Sequence, residues 1–221
     1  MSNAGSSALI PAAGLGTRLG MGPKALLQID GRTLLDILLD TLSPVVDEIV
    51  VAAPEGYAGD MASVIAGRAL CIPGGDSRQA SIERLLQASS GEYLLIQDAA
   101  RPFCSGDLCR AVLQAARERG AAGAFLDPTV PVGLLQDGEV ARYLSRSEAG
   151  IFQAPQAFRR DILETARAGA AGREFQSTAQ MVIQAGYPLA AVPGEAHNIK
   201  ITSSLDWEIA QSVIAPRLWP R

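Results

Sequence analysis

Between Pro11 and Lys24 the chain reads Pro11-Ala12-Ala13-Gly14-Leu15-Gly16-Thr17-Arg18, then Leu19-Gly20-Met21-Gly22-Pro23-Lys24. A glycine-rich turn thus delivers an arginine and a lysine directly after a short apolar run. Glycines let a backbone turn tightly and approach an anion, while main-chain N–H groups and the two cations neutralise phosphate oxygens. Such a loop suits a nucleoside triphosphate, although taken alone it reads equally well as a solvated surface loop. Two familiar phosphate loops are excluded by spacing. The dinucleotide fingerprint needs a glycine three residues after Gly16, where Leu19 stands. A P-loop needs Gly-Lys-Ser/Thr, but Pro23 precedes Lys24 and Ala25 follows it. What remains is a loop in which Arg18 and Lys24 act as side-chain clamps, as expected where group transfer depends on positioning and charge stabilisation.

Three further segments carry polar chemistry: Gly74-Gly75-Asp76-Ser77-Arg78-Gln79-Ala80-Ser81, Asp98-Ala99-Ala100-Arg101-Pro102 and Asn198-Ile199-Lys200-Ile201-Thr202. The first two follow short apolar runs. Strand-length runs recur at 8–12, 48–53, 69–72, 93–96 and 121–126, and helical segments are predicted at 34–42, 77–88 and 107–118. In the last of these Leu108, Ala111, Val112, Ala115 and Ala116 form the stripe expected to face a core. This alternation predicts an α/β fold with a mainly parallel sheet covered by helices, whose ligands bind beyond the carboxyl ends of the strands. From Val130 to Ile151 the pattern changes. Two apolar runs flank Gln136-Asp137-Gly138-Glu139, a hairpin signal, so a β-arm is predicted at about 130–150, packing on the main body or on a second subunit. With no repeat or linker in 221 residues, the chain reads as a single domain, 1–221.

Composition narrows the class. A formal net charge of −4 argues against a general nucleic-acid binder, because no basic stripe offsets a phosphate backbone. No apolar stretch is long enough to span a membrane and no secretion signal is evident, so a cytoplasmic protein is expected. Cys71, Cys104 and Cys109 form no Cys-x-x-Cys pair and His197 is the lone histidine, so neither a zinc site nor a nucleophile triad is expected.

In order and spacing, the four segments resemble the motifs of the 2-C-methyl-D-erythritol 4-phosphate cytidylyltransferase family, over nearly the whole chain from Ala8 to about Val213. The resemblance implies a Rossmann-like nucleotidyltransferase sandwich with a protruding arm. It implies that Pro11, Ala12, Ala13, Gly14 and Gly16, with Gly74, Gly75, Arg78 and Ser81, hold the nucleotide of CTP. Arg18 and Lys24 would stabilise the triphosphate as pyrophosphate leaves, Asp98 would place Mg²⁺, and Lys200 would orient the acceptor and α-phosphates. Arg101 is either an acceptor contact or a structural ion-pair partner. Arg146, in Leu144-Ser145-Arg146-Ser147, takes the place of an arginine that reaches the acceptor phosphate of the other protomer in a homodimer.

The acceptor side departs from the family pattern. Pro131-Val132-Gly133-Leu134-Leu135 stands for Pro-Val-x-Asp-Thr, Gln153-Ala154-Pro155-Gln156 for Gln-Thr-Pro-Gln, and Gln176-Ser177-Thr178-Ala179 for Thr-Asp-Asp/Glu-Ala. A lost hydrogen bond to a charged group costs about 1.5 to 3 kcal/mol, so several together would weaken the acceptor site. Methylerythritol phosphate is the expected acceptor. Another polyol phosphate such as ribitol 5-phosphate, or a CTP-binding protein without transfer activity, are the competing readings.

Overall fold

In the computed structural model, which describes residues 5–16, 19–170 and 172–219, strands and helices alternate as the apolar pattern predicts. In chain order the elements begin β1 (Ser6–Pro11), β2 (Gln28–Ile29), β3 (Arg32–Thr33), α1 (Leu34–Leu42), β4 (Glu48–Ala53), α2 (Ala58–Ile65), β5 (Leu70–Pro73) and α3 (Arg78–Ala88). They continue with β6 (Tyr93–Ile96), α4 (Gly106–Arg119), β7 (Ala121–Leu126), the hairpin β8 (Val132–Gln136) and β9 (Glu139–Leu144), and β10 (Ile151–Arg159). Last come α5 (Arg160–Ala168), α6 (Thr178–Gln184), β11 (Ala190–Pro193), α7 (Ser204–Ile209), a π-helical turn (Ala210–Ile214) and α8 (Ala215–Leu218).

Seven strands form one sheet in the order β11-β7-β10-β6-β1-β4-β5, and only β10 runs against its neighbours. Because both faces are covered, the central strands are apolar throughout instead of alternating. Ala8, Ile10, Val51 and Leu95 pack against α1, α2 and α4, while Leu9, Val50, Leu94 and Phe158 pack against α3, α5 and α6. In α4 the buried stripe is Leu108, Cys109, Val112, Leu113 and Ala116. Ala111, expected in that stripe, is exposed; the larger Cys109 and Leu113 bury more apolar surface and rotate the helix toward themselves.

A third cluster joins Leu27, Ile29 and Leu34 to Ile201 and to Ala210, Ile214 and Ala215, tying the C-terminal helices to the segment that follows Lys24. Among the described residues no helix is long and apolar enough to cross a membrane. The predicted β-arm is present. Asp137 and Gly138 both adopt positive φ, as a tight two-residue turn requires, and Leu135, Val140 and Tyr143 remain largely exposed on the ribbon.

Candidate active site

The sheet order places β1 between β6 and β4, so the chain leaves β1 at a switch point where neighbouring connections diverge and a crevice opens. Three loops leave strand ends there: Ala12–Gly16 after β1, Gly74–Ser77 after β5, and Gln97–Ala100 after β6. They enclose a cavity of about 360 Å³. Pro11, Ala12, Ala13, Gly14, Gly16 and Lys24 line one wall; Gly75, Arg78 and Ser81 line a second; Asp98 and Lys200 line a third. Sequence segments nearly 190 residues apart therefore converge as expected.

The glycines are needed where the loops nearly touch. A Cβ on Gly74 would lie 2.2 Å from the Ala13 Cβ, and one on Gly75 would lie 2.5 Å from the Ala80 Cβ. Gly16 has a φ of +64°, and a Cβ there would lie 2.4 Å from the Gly22 carbonyl oxygen. Gly74 does not line the cavity itself; its part is to let the two walls close. The Ser81 hydroxyl accepts from Gly75 N–H (3.0 Å) and donates to the Ser77 carbonyl (2.9 Å), fixing the turn into α3. Ser77 caps that helix by accepting from Ala80 N–H. Sequence reasoning did not single out Arg84, which donates to the Gly74 carbonyl at 2.6 Å.

Asp98 is the electrostatic centre. Its side chain is 14% exposed, and its two oxygens accept from Arg78 Nη2 (3.0 Å) and Lys200 Nζ (2.8 Å). Burial pushes the carboxyl up, but the adjacent guanidinium and ammonium outweigh it and hold it well below the usual carboxylate range. Arg78 also reaches Thr178 Oγ1 at 3.4 Å. Lys24 Nζ donates to the Ile201 carbonyl at 2.8 Å, and Ile201 N–H donates to the Ala100 carbonyl at 2.8 Å. The segment 198–202 thus carries Lys200 and accepts from Lys24.

The remaining candidates lie elsewhere. Arg101 does not line the cavity and donates to the main-chain carbonyls of Asn198 (2.6 Å) and Phe152 (3.5 Å). Arg146 sits exposed on a short 3₁₀ turn (Arg146–Glu148) after β9, away from the cavity of its own chain. Arg18 and Thr17 lie outside the described residues. None of the departing acceptor residues lines the cavity. Leu134 and Leu135 are exposed on the arm, Ala154 is buried, and Ser177 caps α6 by accepting from Gln180 N–H. Serine and aspartate are equally good caps, so this substitution preserves the helix start.

A family model for 2-C-methyl-D-erythritol 4-phosphate cytidylyltransferase matches residues 7–216. Curated relatives of that name include the Thermus thermophilus protein, 42% identical over 96% of this chain and 98% of its own length. The Deinococcus radiodurans protein is 39% identical over 94% and 89%. The crystal structure of a Thermus thermophilus enzyme of the same name superposes with a TM-score of 0.79 at 38% identity, covering 94% of this chain and 98% of that one. The 4-diphosphocytidyl-2C-methyl-D-erythritol synthase of Anaerococcus prevotii gives 0.84 at 26% identity, covering 94% and 97%. Fold, cavity and kinship agree, and the chain belongs to the 2-C-methyl-D-erythritol 4-phosphate cytidylyltransferase family.

Proposed function

We propose that this chain moves CMP from CTP to 2-C-methyl-D-erythritol 4-phosphate and releases pyrophosphate, a step of isoprenoid precursor synthesis. The observation that carries the assignment to this cavity is the Asp98-held Lys200 facing the glycine loop and Lys24 across it. An acceptor phosphate oxygen attacks the α-phosphorus of CTP, the bond from that phosphorus to the bridging oxygen breaks, and pyrophosphate departs with the electron pair. Little covalent work falls to the protein; its task is alignment and charge neutralisation.

Main-chain groups of Pro11 to Gly16 and the turn Gly74–Gly75, braced by Ser81, hold the nucleoside. Lys24, with Arg18, neutralises charge gathering on the triphosphate. Lys200 has three N–H donors, and Asp98 takes one and aims the others at oxygens of the acceptor phosphate and the α-phosphate, the two groups that the new P–O bond joins. Arg78 holds Asp98 from the other side.

A divalent magnesium ion fits this donor set. Asp98 is an ionised, hard oxygen ligand whose two oxygens are held by Arg78 and Lys200. This matches a metal that takes one or two carboxylates and completes its shell with substrate phosphates. When bound, it would offset triphosphate charge.

The exposed apolar arm supports a homodimer in which Arg146 reaches the partner's acceptor site. The three free thiols agree with a cytoplasmic setting. The direct test uses CTP labelled at the α-phosphorus. Label should move to methylerythritol phosphate with wild-type protein and fall by orders of magnitude in Lys24→Met. Equal transfer by both would remove the reaction from this cavity.

A further inference from the structure

Gln153 stands on β10 where the ladder with β7 skips from Phe152 to Gln156, so its side chain leaves the regular sheet pattern. It is 4% exposed, and both ends of its amide are engaged by one loop. Nε2 donates to the carbonyls of Glu195 (3.0 Å) and Asn198 (3.2 Å), and Oε1 accepts from Glu195 N–H (3.1 Å). The fit is close: a Cβ on Gly194 would lie 2.4 Å from that Oε1. Asn198, fully buried, answers by donating from Nδ2 to the Ala154 carbonyl at 2.7 Å, and its own carbonyl also receives Arg101. Two residues further on, Lys200 emerges toward Asp98. The origin of the Lys200 side chain is thus fixed by an amide that touches no part of the cavity.

We propose that Gln153 is a positioning residue for the transfer reaction, acting through Glu195 and Asn198 to set where Lys200 stands; this rests on the role given to Lys200 above. Only a side chain with a donor and an acceptor at this length satisfies the loop. Gln153→Glu keeps the shape but turns an oxygen toward two carbonyl oxygens, and Gln153→Met keeps the volume without the bonds.

The test is a double-mutant cycle on pyrophosphate release, pairing each Gln153 variant with Lys200→Met. In the wild-type background the Gln153 change should lower kcat/KM roughly 10²-fold, the effect of a misplacement near 1 Å. In the Lys200→Met background it should cost less than about three-fold, because the two residues act as a unit. A similar factor in both backgrounds, or full activity of a Gln153 variant, would overturn the proposal. If Gln153→Glu does not fold, the Gln153→Met cycle decides. A wild-type rate in Lys200→Met alone would overturn the role of Lys200 and this proposal with it, and is told apart because it needs no Gln153 variant.

Discussion

Replacing Asp98 by asparagine probes the centre of the site. The change preserves shape, removes one negative charge, and leaves Arg78 and Lys200 facing an amide in place of the carboxylate they bind at 3.0 and 2.8 Å. At an effective dielectric near 20, a unit ion pair at 4 Å is worth about 4 kcal/mol. The two cations are 35% and 41% exposed, which screens each pair and lowers its worth to about 1 kcal/mol. The expected loss of stability is therefore about 2 kcal/mol at pH 7, read from urea unfolding. Released from Asp98, Lys200 no longer meets the transferring phosphate in register, and kcat/KM should fall roughly 10²-fold in a pyrophosphate-release assay. The native carboxyl titrates below its ordinary value of 3.8, so its contribution is complete above that pH and fades as pH falls through the native value. The deficit of the variant should accordingly persist unchanged from pH 7 to pH 5. A variant within about 0.5 kcal/mol and two-fold of wild type would refute the reasoning, because changes that small are typical of featureless surface positions.

Gly74→Ala forces a methyl against Ala13; overpacking of about 1 to 3 kcal/mol should weaken CTP binding roughly ten-fold or more in calorimetry, and unchanged affinity would show that the walls can separate freely. Asp206 accepts from Thr202 Oγ1 and from the N–H groups of Thr202 and Ser203, and these bonds hold its pKa down to about 2. Asp206→Ala should lose about 1 kcal/mol of stability at pH 7. Because the native pKa is depressed, the difference from wild type should close as pH falls from about 4 toward 2, measured as Tm against pH. Val140→Lys places a charge on the exposed apolar face of the arm. It should shift sedimentation from dimer to monomer and lower transfer activity with it, and a dimer of full activity would contradict the shared-site arrangement.

Much of this architecture is legible in the residues. Runs such as Glu48–Ala53 and Tyr93–Ile96 become strands at their expected bounds, since continuous apolar stretches of that length fit a sheet covered on both faces. Asp137-Gly138 marks the arm because few other pairs tolerate two successive positive φ angles. β10 escapes such reading: Pro155 interrupts its pattern and its pairing partners are set by tertiary contacts. The position of Asp98 just beyond β6 follows from strand-end placement, which sequence spacing does convey, whereas the meeting of Lys24 and Lys200 with it is implied by the family resemblance alone. The template beneath them follows from neither, because Gln153 and Asn198 lie 45 residues apart and share no local period. Arg101 is similar. Sequence leaves it between an acceptor contact and an ion-pair partner, and only the fold shows its Nη1 and Nη2 donating to two main-chain carbonyls.

The identity of the acceptor is the most direct test of the whole account. Pyrophosphate release from CTP should be measured with 2-C-methyl-D-erythritol 4-phosphate and ribitol 5-phosphate side by side. Turnover with methylerythritol phosphate, lost in Lys200→Met, is the predicted result. Turnover with ribitol 5-phosphate alone, or CTP binding with no turnover on either acceptor, would contradict it.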